Sequence, residues 1–376
     1  MTIRYSLLAA SLLAGLVHAN EAPKNIIYMI GDGMGPAYTT AYRYYQDNPE
    51  TKQIEPTVFD SILVGMAHTY PDDDTYVTDS AAGATALSSG IKSYNGAVAV
   101  DTHKKPVKTM LEVAKEQGMT TALVATSQIN HATPASFAAH NESRRNYDQI
   151  ADDYLDNKVN GKLPVDLLLG GGVRYFERED RNLIEEFKMQ GYHYLTDFDT
   201  LPSLQTLPAN DIACAMAEMD DFAKSIALAK AYVDAHPDTL LVVTADHSTG
   251  GLTIGANGEY DWKTDVIKGV HQTAWPLATS LAKGSDIKQV WSESVDWALS
   301  DVQFALLIDA KKSEEPAKAL YQAVKSIIND QSLTGWTTKG HNAVDVQVFA
   351  YGKGSQAFVG SQNNTDIANK LIGYLQ

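Results

Sequence analysis

Ser80 is the residue with the most chemical potential in this sequence. It stands in Val77-Thr78-Asp79-Ser80-Ala81-Ala82-Gly83-Ala84-Thr85-Ala86, at the start of a small-residue run that reads as a helix. Free backbone N–H groups and the dipole at a helix N-terminus favour an anion. The plainer reading makes Ser80 a simple N-cap. The neighbouring alanines and glycine, however, leave room for something bulky around its hydroxyl. A nucleophilic serine needs activation, by a histidine base or by a metal that lowers its hydroxyl pKa. With no Gly-x-Ser-x-Gly elbow in the sequence, metal activation is preferred over a triad.

Candidate ligands and anion-binding groups are spread along the chain. Asp32 lies in Gly31-Asp32-Gly33-Met34-Gly35, a stretch that reads equally as a plain turn or a metal site. Its glycines lack the further glycine of a dinucleotide fingerprint. Asp246 and His247, in Thr244-Ala245-Asp246-His247, can both reach one ion from an irregular turn, and nitrogen with oxygen donors suits zinc. A solvated Asp-His pair is the alternative. His131-Ala132-Thr133-Pro134-Ala135 offers an imidazole and a hydroxyl, and Thr133 suits a hard magnesium that keeps several waters. In Ser143-Arg144-Arg145 a guanidinium could grip two phosphate oxygens, although exposed arginines are common. His341, after Gly340, is an isolated histidine of a kind that is more often structural.

The elements that position these residues are short buried strands alternating with helices. Asn25 to Ile30, Thr120 to Thr126 and Leu240 to Thr244 are continuous apolar or β-branched runs. Strands covered on both faces of a parallel sheet look like this. Helical patterns run from Val107 to Gln117, from about Ala217 to His236 and from Pro316 to Ile328. The alternation predicts an α/β three-layer sandwich with a largely parallel central sheet. Ligands bind at the carboxyl edge of such sheets, and the residues singled out above sit at predicted strand ends. The stretch at about 257–336 holds several tryptophans and helical pieces without an obvious strand. It reads as a helical surface insertion over or beside the site.

At the N-terminus, Arg4, the apolar run Leu7 to Leu16 and Val17-His18-Ala19 read as a signal peptide over 1–19. The run is shorter than the roughly 18 residues of a membrane span. The expected mature chain, 20–376, is periplasmic or secreted, with no membrane association. A net charge of −16 argues against nucleic acid as a partner. It does not exclude phosphate, because bound divalent metals reverse the local sign. The single cysteine, Cys214, rules out an intrachain disulfide and leaves metal binding to carboxylates and histidines.

The Gly31–Gly35 loop, Thr78-Asp79-Ser80-Ala81-Ala82, His131 to Ala135, Thr244 to His247 and Gly340-His341 occur in that order. Together they resemble the bacterial alkaline phosphatases, notably the branch from marine and cold-water bacteria. The resemblance runs from about Pro23 to the C-terminus. It implies hydrolysis of small phosphate monoesters at alkaline pH, with Zn2+ and Mg2+ as cofactors. Ser80 would form a phosphoseryl intermediate. Asp32 would bridge a zinc and the magnesium, Asp246 and His247 would complete that zinc, and His341 would bind a second. Thr133 would bind magnesium with His131 beside it, Arg144 rather than Arg145 would clamp phosphate, and Trp336 would lie near the second zinc. Two in-line displacements would follow, by Ser80 and then by hydroxide. A homodimer is an option for its assembly.

One feature of the family is missing. Its members carry a Glu-x-x-x-Ile-Asp-x-x-x-His stretch at a strand end, supplying one magnesium ligand and two ligands of the second zinc. Here Leu207-Pro208 runs straight into Ala209-Asn210-Asp211-Ile212. His341 is then the only familiar ligand of the second zinc, and the sheet should lose a strand and expose its neighbours. Asp211 or Glu218 could substitute, with a solvated helix start as the plainer reading of both. Rival functions are a related phosphodiesterase and an impaired phosphate- or metal-binding remnant.

Overall fold

The computed structural model describes residues 22–195, 210–284 and 286–376. The expected signal peptide, and the junction at Leu207-Pro208, lie outside the described residues. The strands are β1 (Asn25–Ile30), β2 (Leu63–His68), β3 (Ala122–Gln128), β4 (Leu167–Gly171), β5 (Thr239–Thr244), β6 (Ser248–Thr249), β7 (Leu252–Ile254), β8 (Thr334–Trp336), β9 (His341–Asn342), β10 (Val346–Gly352) and β11 (Gly360–Asn363).

Five strands form the main sheet in the order β1-β5-β10-β2-β11. β1 runs parallel to β5, and β11 parallel to β2. β10 is antiparallel to both β5 and β2. Four strands therefore point one way and β10 alone is reversed, so the sheet is largely parallel, as expected. The six residues of β5, Thr-Leu-Leu-Val-Val-Thr, are all buried. Successive side chains of a strand face opposite sides, so both faces of the sheet are covered there. The helices Pro36–Gln46, Val58–Ile62 and Ile212–Ala235 pack together on one flank. Ser80–Ser89, Met110–Glu116 and Asn364–Leu375 do so on the other, which gives the α/β sandwich.

The helices follow from their sequences. In Ile212–Ala235 the buried positions Ile212, Ala215, Met216, Met219, Ala223 and Ile226 recur every three or four residues, one face of a 3.6-residue period. Asp211 caps it by accepting from the Cys214 N–H at 3.1 Å. Asp211 is therefore a helix start, but a buried one rather than solvated. In the stretch 257–336, five helices between Thr264 and Ser332 precede β8. β8 pairs with β7, a strand that composition does not signal because it is three residues long.

Expectation and structure part at β1 and β3, which read as fully buried. In β1, Asn25 is exposed and Ile26 to Ile30 are half-buried, and in β3 the Val124 side chain is 69% exposed. β3 and β4 form a separate parallel pair, so the sheet is in two pieces. β1 has β5 as its ladder partner and β3 has β4. Among the described residues, neither has a strand on its other edge, so apolar side chains there lack a neighbour to cover them.

Candidate active site

The carboxyl edge of the sheet gathers residues from four separate stretches of chain. Asp32 follows β1, His131 and Thr133 follow β3, and Asp246 and His247 follow β5. His341 instead precedes its long strand, β10. It reaches the same edge because β10 is the reversed strand, so its start lies where the other strands end.

Two glycines allow the close approach. Gly33 has φ +78°, and a Cβ there would stand 2.6 Å from Thr249 Oγ1; its N–H donates to Asp246 Oδ1 at 3.0 Å. A Cβ on Gly83, in the Ser80–Ser89 helix, would lie 2.8 Å from the Asp246 carbonyl oxygen. Small residues thus press the glycine loop and this helix, whose ten residues are all buried, against the Asp246-His247 turn.

Asp79, not Ser80, caps the helix. Its carboxylate accepts from the Ala82 N–H at 3.0 Å and the Gly96 N–H at 3.1 Å. The Ser80 hydroxyl is thereby freed from capping, and its Oγ lies 3.0 Å from His247 Nε2. The other His247 nitrogen, Nδ1, pairs with Thr249 Oγ1 at 3.1 Å. Such a partner fixes the tautomer and aims the remaining nitrogen.

Ligand atoms of Asp32, Asp246 and His247 all lie within 4.8 Å of one another. His247 Nε2 is 3.4 Å from Asp246 Oδ2 and 3.6 Å from Asp32 Oδ1. The Thr133 hydroxyl donates to Asp32 Oδ2 at 3.1 Å and approaches Asp246 Oδ2 at 3.4 Å. Burial, and after it the Asp32 charge, pushes Asp246 far above the usual carboxylate range. Burial lowers His247 and keeps its ring neutral. Fully buried carboxylate next to a second carboxylate is costly unless a cation or proton offsets it. Neutral imidazole and crowded oxygens are the donor set of a divalent metal.

Arg144 lies across the mouth. Its Nη1 donates to Asp79 Oδ2 at 3.0 Å, and its Nη2 faces His131 Nε2 at 3.2 Å. Arg145 points to solvent. His131 starts the short helix Ala132–Ala135, and burial lowers its pKa, so it meets the guanidinium as a neutral ring. His341 stacks on His247 with centroids 3.5 Å apart, and its Nδ1 donates to the Thr78 carbonyl at 2.9 Å. That leaves Nε2 open. Trp336 is seated on Gly250 and edge-on to Tyr38, whose hydroxyl donates to the Thr249 carbonyl. Neither Asp211 nor Glu218 belongs to the cation-competent cluster among the described residues.

Two positioning residues escaped the sequence reading. Asp79 had a signal in its place before a candidate helix start. Thr249 had none beyond standing two residues after His247.

Comparison with known proteins points one way. The family model described as Alkaline phosphatase matches residues 23–209 and 206–376, two blocks that meet where the expected ligand stretch is lacking. Alkaline phosphatase 3 of Bacillus subtilis (strain 168) is 43% identical, over 94% of this chain and 89% of its own length. That alignment spans 412 positions against a chain of 376 residues, so at least 36 positions have no residue of this chain. A cold-active alkaline phosphatase from the psychrophile Shewanella sp., 43% identical, matches with a TM-score of 0.86 over 94% of this chain and 100% of that one. A mutant of TAB5 alkaline phosphatase with Mg bound is 25% identical, with a TM-score of 0.64 over 94% and 98%.

Proposed function

Since the chain belongs to the alkaline phosphatase family, we propose that it hydrolyses small phosphate monoesters by attack of Ser80 beside a divalent cation held by Asp32, Asp246 and His247. The observation that carries this reading is the Ser80 hydroxyl, free of capping duty and 3.0 Å from His247 Nε2, on the rim of a cluster of cation donors. The donor set fits zinc at Asp32, Asp246 and His247, and a hard ion such as magnesium at Asp32 and Thr133. When bound, such a cation lowers the pKa of the Ser80 hydroxyl and offsets phosphate charge.

The remaining work falls to the chain itself. The helix that begins at Ser80 directs backbone N–H groups at the incoming anion. The Arg144 fork suits two phosphate oxygens at once, and the Asp79 carboxylate holds it in place. Ser80 displaces the alcohol to give a phosphoserine, and water then releases inorganic phosphate from it. His247 keeps its Nε2 turned to the reacting hydroxyl through the Thr249 contact. Export to the periplasm after removal of 1–19 belongs to the same proposal. No helix among the described residues is long and apolar enough to cross a membrane.

The residues present do not fit a second tetrahedral zinc. His341 offers a single nitrogen, and among the described residues it belongs to no group of three or more carboxylate, histidine or cysteine donors, where four ligands are usual. This favours the second reading, an impaired member of the family that binds phosphate or one metal. Turnover of an aryl phosphate with added zinc and magnesium decides between them. Activity that disappears in Ser80→Ala supports the hydrolase; no turnover at any metal loading sinks it and leaves the remnant.

A further inference from the structure

The extended stretch Val77-Thr78-Asp79 touches three groups of the site. Asp79 caps the helix that starts at Ser80 and holds the Arg144 guanidinium through Oδ2. The Thr78 carbonyl accepts from His341 Nδ1 at 2.9 Å. Residues 77–79 belong to no strand, so a sheet ladder does not fix them. Their backbone groups are met instead by one side chain, Asn95. The Asp79 N–H donates to Asn95 Oδ1 at 2.6 Å, and Asn95 Nδ2 donates to the Val77 carbonyl at 3.0 Å. The amide thus stands in for a strand partner, bonding both neighbours of Thr78 from one side.

Asn95 is itself held. Its N–H donates to Asp73 Oδ2 at 2.9 Å, and Nδ2 makes a second bond to Thr75 Oγ1 at 3.2 Å. Both ends of the side-chain amide therefore have partners, and turning it over would set its oxygen against the Val77 carbonyl. Next in sequence, Gly96 donates its N–H to Asp79 Oδ1 at 3.1 Å, and its carbonyl accepts from the Arg144 N–H at 2.8 Å. Thr85 Oγ1, inside the Ser80–Ser89 helix, donates to the Ala97 carbonyl at 2.9 Å. The turn around Asn95 is thus fastened to the Ser80 helix, to Asp79 and to the Arg144 backbone. We propose that Asn95 is a positioning residue that sets Ser80, Arg144 and His341 in one frame by orienting the Val77–Asp79 backbone. A loosened frame moves the nucleophile and the clamp together, and a misplacement of about 1 Å can cost about a hundred-fold in rate. The placement of the three groups stands on hydrogen-bond geometry; its effect on rate rests on the phosphatase reading.

The test compares the full chain, with zinc and magnesium present, with Asn95→Ala and Asn95→Asp. In Asn95→Ala, kcat/KM for an aryl phosphate should fall about ten- to a hundred-fold, with kcat lowered through Ser80 and KM raised through Arg144. A lower thermal midpoint with wild-type kcat and KM makes Asn95 a loop fastener and overturns the proposal. Asn95→Asp has the same size and guards against misfolding. It keeps the acceptor for Asp79 but turns an oxygen on the Val77 carbonyl, and should lose at least about ten-fold; wild-type kinetics there also overturns the proposal. In an Arg144→Ala background the Asn95→Ala loss should shrink at least about three-fold, because part of it runs through the clamp. Equal losses in both backgrounds contradict the shared frame. Amide exchange at Asp79 is read in the same proteins and should quicken at least about ten-fold in Asn95→Ala. Unchanged exchange overturns the placement whether or not the ester is hydrolysed. Faster exchange in a chain that hydrolyses no ester leaves the frame standing and removes the phosphatase reading.

Discussion

Arg144 and Thr249 show how much of the site depends on residues that orient others. Arg144 has no lone pair to offer a cation, and its guanidinium is held between Asp79 and His131. Arg144→Ala should raise KM for a phosphate monoester and lower kcat/KM by about ten- to a thousand-fold, corresponding to about 1.4–4 kcal/mol of lost charge-assisted bonding. Arg144→Lys should recover only part, because a point charge does not reproduce the fork. Equal kinetics in wild type and Arg144→Ala would remove the clamp from the mechanism. Thr249 contacts His247 at the nitrogen away from the cluster. Thr249→Val keeps the volume and deletes that contact. Zinc affinity measured by competition with a chelating dye should fall about ten- to a hundred-fold, with little loss of thermal stability.

At the scale of elements, a buried ion pair ties the helix Met110–Glu116 to the chain that follows the His131–Ala135 turn. Glu112 closes a capping box with Thr109 and accepts from His140 Nε2 at 3.0 Å and Asn157 Nδ2 at 2.9 Å. Burial by itself would raise Glu112, but these bonds outweigh it and hold the carboxyl at about 2. Burial would likewise lower His140, and its bonds to Glu112 and the Ala99 carbonyl raise it instead. The Glu112 contribution is present above the unfolded value of 4.5 and is lost as pH falls toward about 2. The His140 contribution is complete below 6.5 and is lost as pH climbs through its raised value. The pair therefore stabilises most between these two limits and less at alkaline pH. Urea unfolding of Glu112→Gln should show a loss of about 1–3 kcal/mol near pH 5.5 that shrinks at pH 9. A loss independent of pH would contradict the assignment.

For the molecule as a whole, the divided sheet sets where stability resides. Leu241 in β5 is wholly buried and paired on both sides, so Leu241→Ala should cost about 2–5 kcal/mol. Val124, also aliphatic, lies in the separate β3–β4 pair and is largely exposed, so Val124→Ala should stay within about 0.5 kcal/mol. A comparable loss at both positions in denaturant titrations would mean that β3 is covered in solution. Amide exchange should follow the same order, with β5 protected longest and the edges of β1 and β3 that have no strand partner among the described residues exchanging early.

Much of the candidate site was legible in the sequence. Glycine-flanked Asp32, Asp246-His247 after a β-branched run and Ser80 before a row of alanines are local patterns, and local patterns follow from backbone sterics and the residue types themselves. The α/β alternation was legible for the same reason, whereas the missing ligand stretch could be noticed only through the family resemblance. Three things needed the tertiary structure. His341 joins the site only because β10 runs against its neighbours, and strand direction is decided by how distant segments pair. Asp79 gained part of its role from Arg144, 65 residues along the chain, and Thr249 from the turn that aims its hydroxyl back at His247. The half-exposure of β1 and β3 could not be read from their apolar sequences, because a strand is buried by its neighbours and, among the described residues, each of these has a strand on one side only.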